Sequence, residues 1–155
     1  MKIGKNIFNK KAADMRDKSG IILSAISLIF FFHIEVWGAD WRYYDENNYR
    51  VSYYDGESIA RTSEGIVRVW EKVVFTEEGV IDAVEQLGEK YKTLSYVTML
   101  NELHCTDGRI CLLSSAFYSK DGKVLSSFEY QAGDWWFIVP ETRGEVLYEI
   151  LCKQP

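Results

Sequence analysis

Hydrophobic and polar residues alternate along several short segments of the chain, the pattern of β-strands with one buried face. The clearest case is Ile66 to Phe75, in which valines alternate with Arg68, Trp70 and Lys72. Six other segments have strand character, and turn signals such as Asp-Gly separate several of them. They are Trp41 to Asp45, Tyr49 to Tyr54, Leu94 to Cys105, Ile110 to Tyr118, Val124 to Tyr130 and Trp135 to Val139.

The period changes to that of an amphipathic helix in two places. The first predicted helix has its apolar residues at steps of three and four: Ile81, Val84, Leu87 and Tyr91. In the second, Thr142 and Glu145 form a capping-box pattern that predicts a helix to about Leu151. Strands and helices do not alternate along the chain. We therefore expect an α+β fold, in which an antiparallel β-sheet of about six strands carries a C-terminal α-helix.

The first 39 residues differ in kind from the rest and predict a secretory signal peptide. Six basic residues precede an apolar run from Ile21 to Phe32, and small residues follow at Gly38 and Ala39. An uncleaved membrane anchor is the alternative, but a span needs about 20 apolar residues and Glu35 interrupts this one. We expect residues 1–39 to be a signal peptide, cleaved after Gly38 or Ala39. Residues 40–155 then form a single domain with no stable membrane span.

Removal of the signal peptide leaves a distinctly acidic protein. Six of the 18 basic residues lie in that segment, but only three of the 23 acidic ones, which leaves 12 positive and 20 negative charges. A net charge of −8 argues against a general nucleic-acid-binding protein, because such proteins are normally basic. The sequence contains no phosphate-binding loop, dinucleotide fingerprint or calcium loop, so we expect no cofactor.

All three cysteines, Cys105, Cys111 and Cys152, lie in the exported part, where thiols are oxidised to disulfides. A two-residue turn at 107–108 would make Cys105 and Cys111 point to opposite faces of a hairpin, where they cannot bond. Cys152 is the better partner for Cys105, provided that the helix has ended by Leu151 so that the chain can turn inward. Cys111 is then buried, or free to pair with a second chain.

His104 is the only histidine outside the signal peptide, so a Ser/His/Asp or Cys/His mechanism would depend on it. Its place at a strand end and the absence of a Gly-x-Ser-x-Gly elbow argue against such a mechanism. A metal site formed by His104 and the cysteines is another alternative, but a C-x5-C spacing is not that of a zinc knuckle. We expect no catalytic residue and no metal site, although no residue pattern excludes a hydrolase that uses two carboxylates.

Aromatic residues make up 15% of the chain and include three adjacent pairs: Tyr43-Tyr44, Tyr53-Tyr54 and Trp135-Trp136. Neighbours on a strand point to opposite faces, so one member of each pair lies away from the face that the C-terminal helix covers. Either a second element covers that other face, or its aromatic residues form a surface for a partner or for self-association. The candidates for this binding or dimer surface are Tyr43, Tyr53, Tyr54, Trp135 and Trp136.

Several segments, taken in order, form a recognisable set. They are Tyr53 to Arg61 (YYDGESIAR), Ile66 to Trp70 (IVRVW), Cys105, the hairpin residues Tyr118, Gly122 and Val124, Trp136 to Pro140 (WFIVP) and Cys152. The set spans about residues 41 to 153 and resembles the surface-adhesin protein E family. That resemblance implies an antiparallel sheet with a disulfide-tethered C-terminal helix, and a homodimer. It also implies binding of host extracellular-matrix proteins and plasminogen at a bacterial surface.

Two features depart from the family pattern: the predicted cleavage point has no lipid-attachment cysteine, and Cys111 is an extra cysteine. We expect an exported, non-catalytic binding protein of adhesin type, which acts as a homodimer through an aromatic sheet face. It would lie at the bacterial cell surface, be secreted, or remain in the periplasm. A periplasmic structural or envelope-stress protein without a host ligand is the alternative hypothesis.

Overall fold

The computed structural model describes residues 38–153. The predicted signal peptide, residues 1–39, lies almost entirely outside this range and stays a prediction. All the elements described below belong to the unit Ala39–Pro155.

The sheet contains eight antiparallel strands, which confirms the predicted α+β fold. They are β1 (Trp41–Asn47), β2 (Arg50–Asp55), β3 (Ala60–Arg61), β4 (Ile66–Phe75), β5 (Leu94–His104), β6 (Arg109–Ser119), β7 (Val124–Glu129) and β8 (Trp136–Phe137). Six of them lie in the order β1-β2-β4-β5-β6-β7, while β3 extends the sheet beside β4 and β8 beside β6. Within residues 38–153 the α-helices are α1 (Glu77–Leu87) and α2 (Arg143–Cys152).

The alternation along β4 divides the sheet into two unlike faces. Val67, Val69 and Val73 are buried on one side, whereas Arg68 and Trp70 on the other side are exposed. Both helices pack against the valine side, which we call the helix face. The opposite side, which carries Trp70, is called the open face.

Helix α2 covers one end of the helix face. Leu147 and Leu151 are fully buried, and they pack in one cluster with Val67, Val69 and Leu103 of the sheet. Burying a leucine side chain contributes roughly 1.5–3 kcal/mol. This apolar contact holds the helix along its length against the centre of the sheet.

A disulfide between Cys105 and Cys152 tethers the C-terminal end of α2, which confirms the predicted pairing. The expectation that the helix would end by Leu151 is wrong, because Cys152 is its last residue. Tyr148 lies one turn before Cys152, and its hydroxyl donates to the Cys105 carbonyl at 2.8 Å. The helix is therefore rotated so that this side approaches Cys105. Cys111 is a free, buried thiol.

The hairpin between β5 and β6 is longer than the predicted two-residue turn. Its register pairs His104 with Arg109, so residues 105–108 form a four-residue loop. The amide of Gly108 donates to the His104 carbonyl at 3.0 Å, and Gly108 has a φ of +63°. Cys105 thus lies in the loop, whereas Cys111 lies within β6.

Helix α1 covers the other end of the helix face with only part of the predicted set: Val84 packs in the cluster and Tyr91, beyond the helix, is buried in it. Ala83 is buried against Phe75, while the predicted core residue Ile81 is 61% exposed, and Leu87 is also exposed. Gly79 explains this rotation, since a Cβ there would lie 2.0 Å from the carbonyl oxygen of Tyr49. Only glycine lets the helix backbone come so close to the Tyr49 carbonyl. The close approach turns the side of α1 that contains Gly79 and Ala83 toward the sheet.

Candidate functional site

The open face carries a row of aromatic residues that the strand register brings together. Tyr43 of β1 pairs with Tyr53 of β2, and Tyr53 pairs with Lys72 of β4. Cross-strand partners share one face of a sheet. The Tyr43 and Tyr53 rings meet edge to face at 6.2 Å, and Tyr43 is 55% exposed.

A second row crosses the same face one step along the strands. Tyr96 of β5 pairs with Tyr118 of β6, and their rings stack with centroids 4.7 Å apart and planes 14° apart. Trp70 belongs to the same side of β4 and is 38% exposed. The face therefore presents aromatic surface from β1 across to β6.

Lys72 is the charged centre of this surface. Its Nζ lies 4.5 Å from the ring centroid of Tyr96 and 5.6 Å from that of Trp41. A cation held over aromatic rings at a partly exposed site contributes about 0.5–1 kcal/mol. The rings thus hold one ammonium group at a defined position among apolar side chains.

An ion pair borders the aromatic rows. Arg68 of β4 pairs across the strands with Glu102 of β5, and its Nε donates to Glu102 Oε1 at 3.0 Å. The Arg68 side chain is 52% exposed and that of Glu102 is 13% exposed, so solvent screens the pair and its contribution to stability is small. The pair therefore forms a polar margin beside the aromatic surface.

The predicted surface residues do not all lie together. Tyr43 and Tyr53 are neighbours on the open face, whereas Tyr54 lies on the helix face beside Tyr44. Trp135 packs edge to face against His104 with ring centroids 5.8 Å apart. Trp136 is exposed on β8, at the end of β6 away from the aromatic rows.

Sequence reasoning missed the remaining aromatic residues of the open face: Trp41, Trp70, Tyr96 and Tyr118. One signal was available, since alternation in β4 already placed Trp70 and Lys72 opposite the valines. The cross-strand register was not available, and it is the register that sets Tyr96 beside Lys72.

The helix face contains one buried carboxylate, that of Glu71. Its oxygens accept hydrogen bonds from the Tyr44 hydroxyl and, at 2.8 Å, from the Asn101 amide, and it forms an ion pair with Arg143. Burial, followed by the Glu71 charge, raises the pKa of Tyr44 above its ordinary value. The carboxylate is thus occupied by structural partners, and we assign this cluster to folding.

His104 is the last residue of β5 and lies beside Asp107 of the following loop. Its Nδ1 is 3.7 Å from Asp107 Oδ2, in the loop that follows β5.

Among residues 38–153, no three His, Cys, Asp or Glu side chains converge so that they could hold a metal ion. No helix within the same range is long and apolar enough to span a membrane.

The chain is similar to a known protein family and to solved structures. Residues 41–153 match the family model of surface-adhesin protein E. Crystal form II of Haemophilus influenzae protein E has a similar structure, with 18% identity, a TM-score of 0.52 and coverage of 76% of this chain and 90% of that chain. A crystal structure of protein E from non-typeable Haemophilus influenzae has 18% identity, a TM-score of 0.48 and coverage of 77% of this chain and 79% of that chain.

At 18% identity, the structural likeness speaks for the fold alone. A search of curated proteins finds no match. The family model carries the assignment, since it covers nearly all of the described residues. The chain belongs to the surface-adhesin protein E family.

Proposed function

We propose that this protein is an exported, non-catalytic adhesin that binds a protein partner through the open face of its sheet. One observation carries the proposal: within residues 38–153, both helices pack on the other face and leave the aromatic rows of this one uncovered. Tryptophan and tyrosine are enriched where binding energy concentrates. Membership of an adhesin family supports the same reading.

The size of the open face suits a protein partner. The six strands have 6 to 11 residues. With neighbours about 4.8 Å apart they span roughly 24 Å by 28 Å, on the order of 700 Å². A typical protein interface buries about 800 Å² on each partner. Extracellular-matrix proteins and plasminogen are the partners that the family resemblance suggests, and self-association of this face is the other use we consider.

The chemistry of the face restricts the partner further. Its apolar surface has a single central cation, Lys72, held between Tyr96 and Trp41. A matching surface would carry apolar side chains around one carboxylate, because such a carboxylate would meet the ammonium group where water is excluded.

Binding to immobilised plasminogen and to a basement-membrane extract tests the proposed site. We expect Trp70→Ala and Lys72→Glu each to weaken binding at least about tenfold, a loss typical of hot-spot residues. Ile81→Ala is the matched control, since Ile81 is an exposed apolar residue on α1, away from the open face. Equal binding by all three variants and the wild type would contradict the assignment of the site.

Export and cell location need a separate experiment. Intact mass analysis of the protein from cells that express the full chain should show loss of residues 1–39, with cleavage after Gly38 or Ala39. Protease added to intact cells should digest a surface adhesin. Complete protection in intact cells, with digestion after the outer envelope is opened, would support the periplasmic alternative instead.

A further inference from the structure

One short segment, residues 136–139, exposes three large apolar side chains close together. Trp136 is 53% exposed, Phe137 is 70% exposed and Val139 is 61% exposed. Globular proteins rarely expose a contiguous apolar patch unless the patch contacts a partner or a membrane. The aromatic rows of the open face do not include these residues, because β8 lies at the other end of β6. We call residues 136–139 the rim segment.

The rim segment is held in place by the rest of the domain. Phe137 pairs with Arg109 of β6, and within residues 38–153 β8 pairs with that strand alone. Ile138 packs against the core cluster that contains the buried leucines of α2, and its N–H donates to the Gly108 carbonyl at 3.0 Å. Neighbours on a strand point to opposite faces, so Trp136 and Phe137 project on either side of the sheet edge. These contacts order the segment before it meets a partner, which lowers the entropic cost of binding.

An unpaired cation lies beside the rim segment. The guanidinium carbon of Arg109 is 4.6 Å from the ring centroid of Phe137. Within residues 38–153 no carboxylate forms an ion pair with Arg109, and its Nε is buried without a hydrogen-bond partner. Arg68 and Arg143, by contrast, each pair with a glutamate. A guanidinium group matches the geometry of a phosphate, so this end of the domain combines apolar side chains with a candidate phosphate ligand.

The charges around the rim segment restrict the kind of surface that it can approach. Asp134 precedes the segment and Glu141 follows it, and both are exposed. Residues 40–155 as a whole carry more acidic than basic residues. An anionic surface would therefore repel the domain. A zwitterionic surface offers phosphate groups to Arg109 without a net negative charge.

We propose that the rim segment docks on the surface of a zwitterionic phospholipid bilayer. Trp136, Phe137 and Val139 enter the interfacial layer, and Arg109 binds a lipid phosphate beside them. Tryptophan is enriched at membrane interfaces, and the apolar stem of an arginine lets its charged head remain among the headgroups. The contact is peripheral, because it uses only a few side chains. The inference goes beyond the proposed function, since it adds a lipid-binding surface separate from the open face.

Co-sedimentation with phosphatidylcholine vesicles tests the docking, with protein purified from cells that express the full chain. We expect the wild type to bind reversibly. Phe137→Ser and Val139→Ser should each lower the partition coefficient at least about threefold, because less apolar surface enters the bilayer. Ile81→Ser is the matched control, since Ile81 is as exposed as Val139, at 61%, but lies on α1. Mapping of the Cys105–Cys152 bond in each variant verifies folding.

Fluorescence quenching by brominated phosphatidylcholine shows which tryptophan enters the bilayer. We expect the brominated lipid to quench the wild type. Trp136→Phe should lose more of that quenching than Trp70→Phe, because Trp70 lies on the open face and stays in water. Phenylalanine keeps an aromatic side chain at each position, so both variants remain able to bind.

Lipids with and without phosphate test the role of Arg109. Arg109→Gln should weaken binding to phosphatidylcholine at least about threefold, and Arg109→Lys should weaken it less, since lysine keeps the charge. Neither variant should change binding to vesicles of digalactosyldiacylglycerol, a neutral bilayer lipid without phosphate. Replacing part of the phosphatidylcholine by anionic phosphatidylglycerol should weaken binding of the wild type, and salt should reduce that loss.

Three outcomes would overturn the membrane docking: no binding of the wild type to phosphatidylcholine vesicles, equal losses in Val139→Ser and Ile81→Ser, or equal quenching of Trp136→Phe and the wild type. A Phe137→Ser protein that loses self-association but keeps vesicle binding would overturn it as well, because the rim segment would then contact a second copy. Binding to immobilised plasminogen should be unchanged in the rim variants. The membrane docking and the proposed function can therefore fail independently of each other.

Discussion

Arg143, the first residue of α2, places its Nε 3.0 Å from Oε1 of Glu71, a carboxylate that is only 1% exposed in the middle of the sheet. The other end of the same helix is bonded to Cys105 through Cys152. An ion pair and a disulfide therefore fix α2 at both ends, with Leu147 and Leu151 buried between them. These contacts close this end of the helix face, whereas within residues 38–153 no helix packs on the opposite face.

Glu71→Ala should be strongly destabilising, because it leaves Arg143, Asn101 and the Tyr44 hydroxyl without their shared acceptor. Removing one member of a buried ion pair costs about 3–5 kcal/mol. Urea denaturation measures the change in the free energy of unfolding. Glu102→Ala is the control, since it removes a carboxylate from the more exposed pair with Arg68 and should cost at most about 1 kcal/mol. Equal losses in the two variants would refute this difference.

Loss of the disulfide should also destabilise the protein. A bond that closes a separation of 47 residues contributes about 4 kcal/mol by loop-closure entropy. Cys152→Ser should therefore lower the urea midpoint, and the wild type should match that midpoint when a reductant is added. Reductant should have no effect on Cys152→Ser itself, and a further shift there would mean that another disulfide exists.

Two helical glycines should respond to alanine in opposite ways. At Gly79 a Cβ would lie 2.0 Å from the Tyr49 carbonyl oxygen, so Gly79→Ala should force α1 away from the sheet and cost about 2–3 kcal/mol. At Gly144 in α2 the nearest atom would be 3.6 Å away, so Gly144→Ala should stabilise by about 0.5–1 kcal/mol through helix propensity. Thermal unfolding of the two variants distinguishes them, and a shift of the same sign in both would contradict the packing described.

Asp121 should keep its charge in mild acid. A hydrogen bond from Lys123, followed by one from Ser119, lowers the pKa of this carboxyl from 3.8 to about 2. Because the folded-state pKa is the lower one, its contribution to stability is present at neutral pH and is lost as the pH falls through about 4 to 2.

Carboxyl chemical shifts measured against pH check this prediction. Lys123→Met should raise the pKa of Asp121 toward its ordinary value, because the principal hydrogen bond to the carboxylate is removed. Lys120→Met in the same turn should leave the pKa unchanged, since Lys120 makes no ion pair with Asp121. An ordinary pKa for Asp121 in the wild type would mean that the Lys123 pair does not form in solution.

The local pattern of hydrophobic and polar residues was sufficient to predict much of the fold. Alternation identified β4 with its observed bounds, and the period of the last segment identified α2 to within one residue. The pairing of Cys105 with Cys152 was predicted correctly, although the two-residue turn and the helix end at Leu151 on which it was argued were both wrong. The hairpin at residues 105–108 and the rotation of α1 were predicted wrongly, because a four-residue loop and the contact of Gly79 with Tyr49 leave no periodic signal.

The sequence by itself determined the strands and helices and the two-sided character of the sheet, since these depend on hydrophobic periods of 2 and 3.6 residues within one segment. It also determined which residue types are available for binding. Only the tertiary structure decided which aromatic residues meet. Tyr43, Lys72 and Tyr96 become neighbours through the register of β1, β2, β4 and β5. Register depends on packing between residues far apart in the chain, and a shift of a single residue would move a side chain to the opposite face.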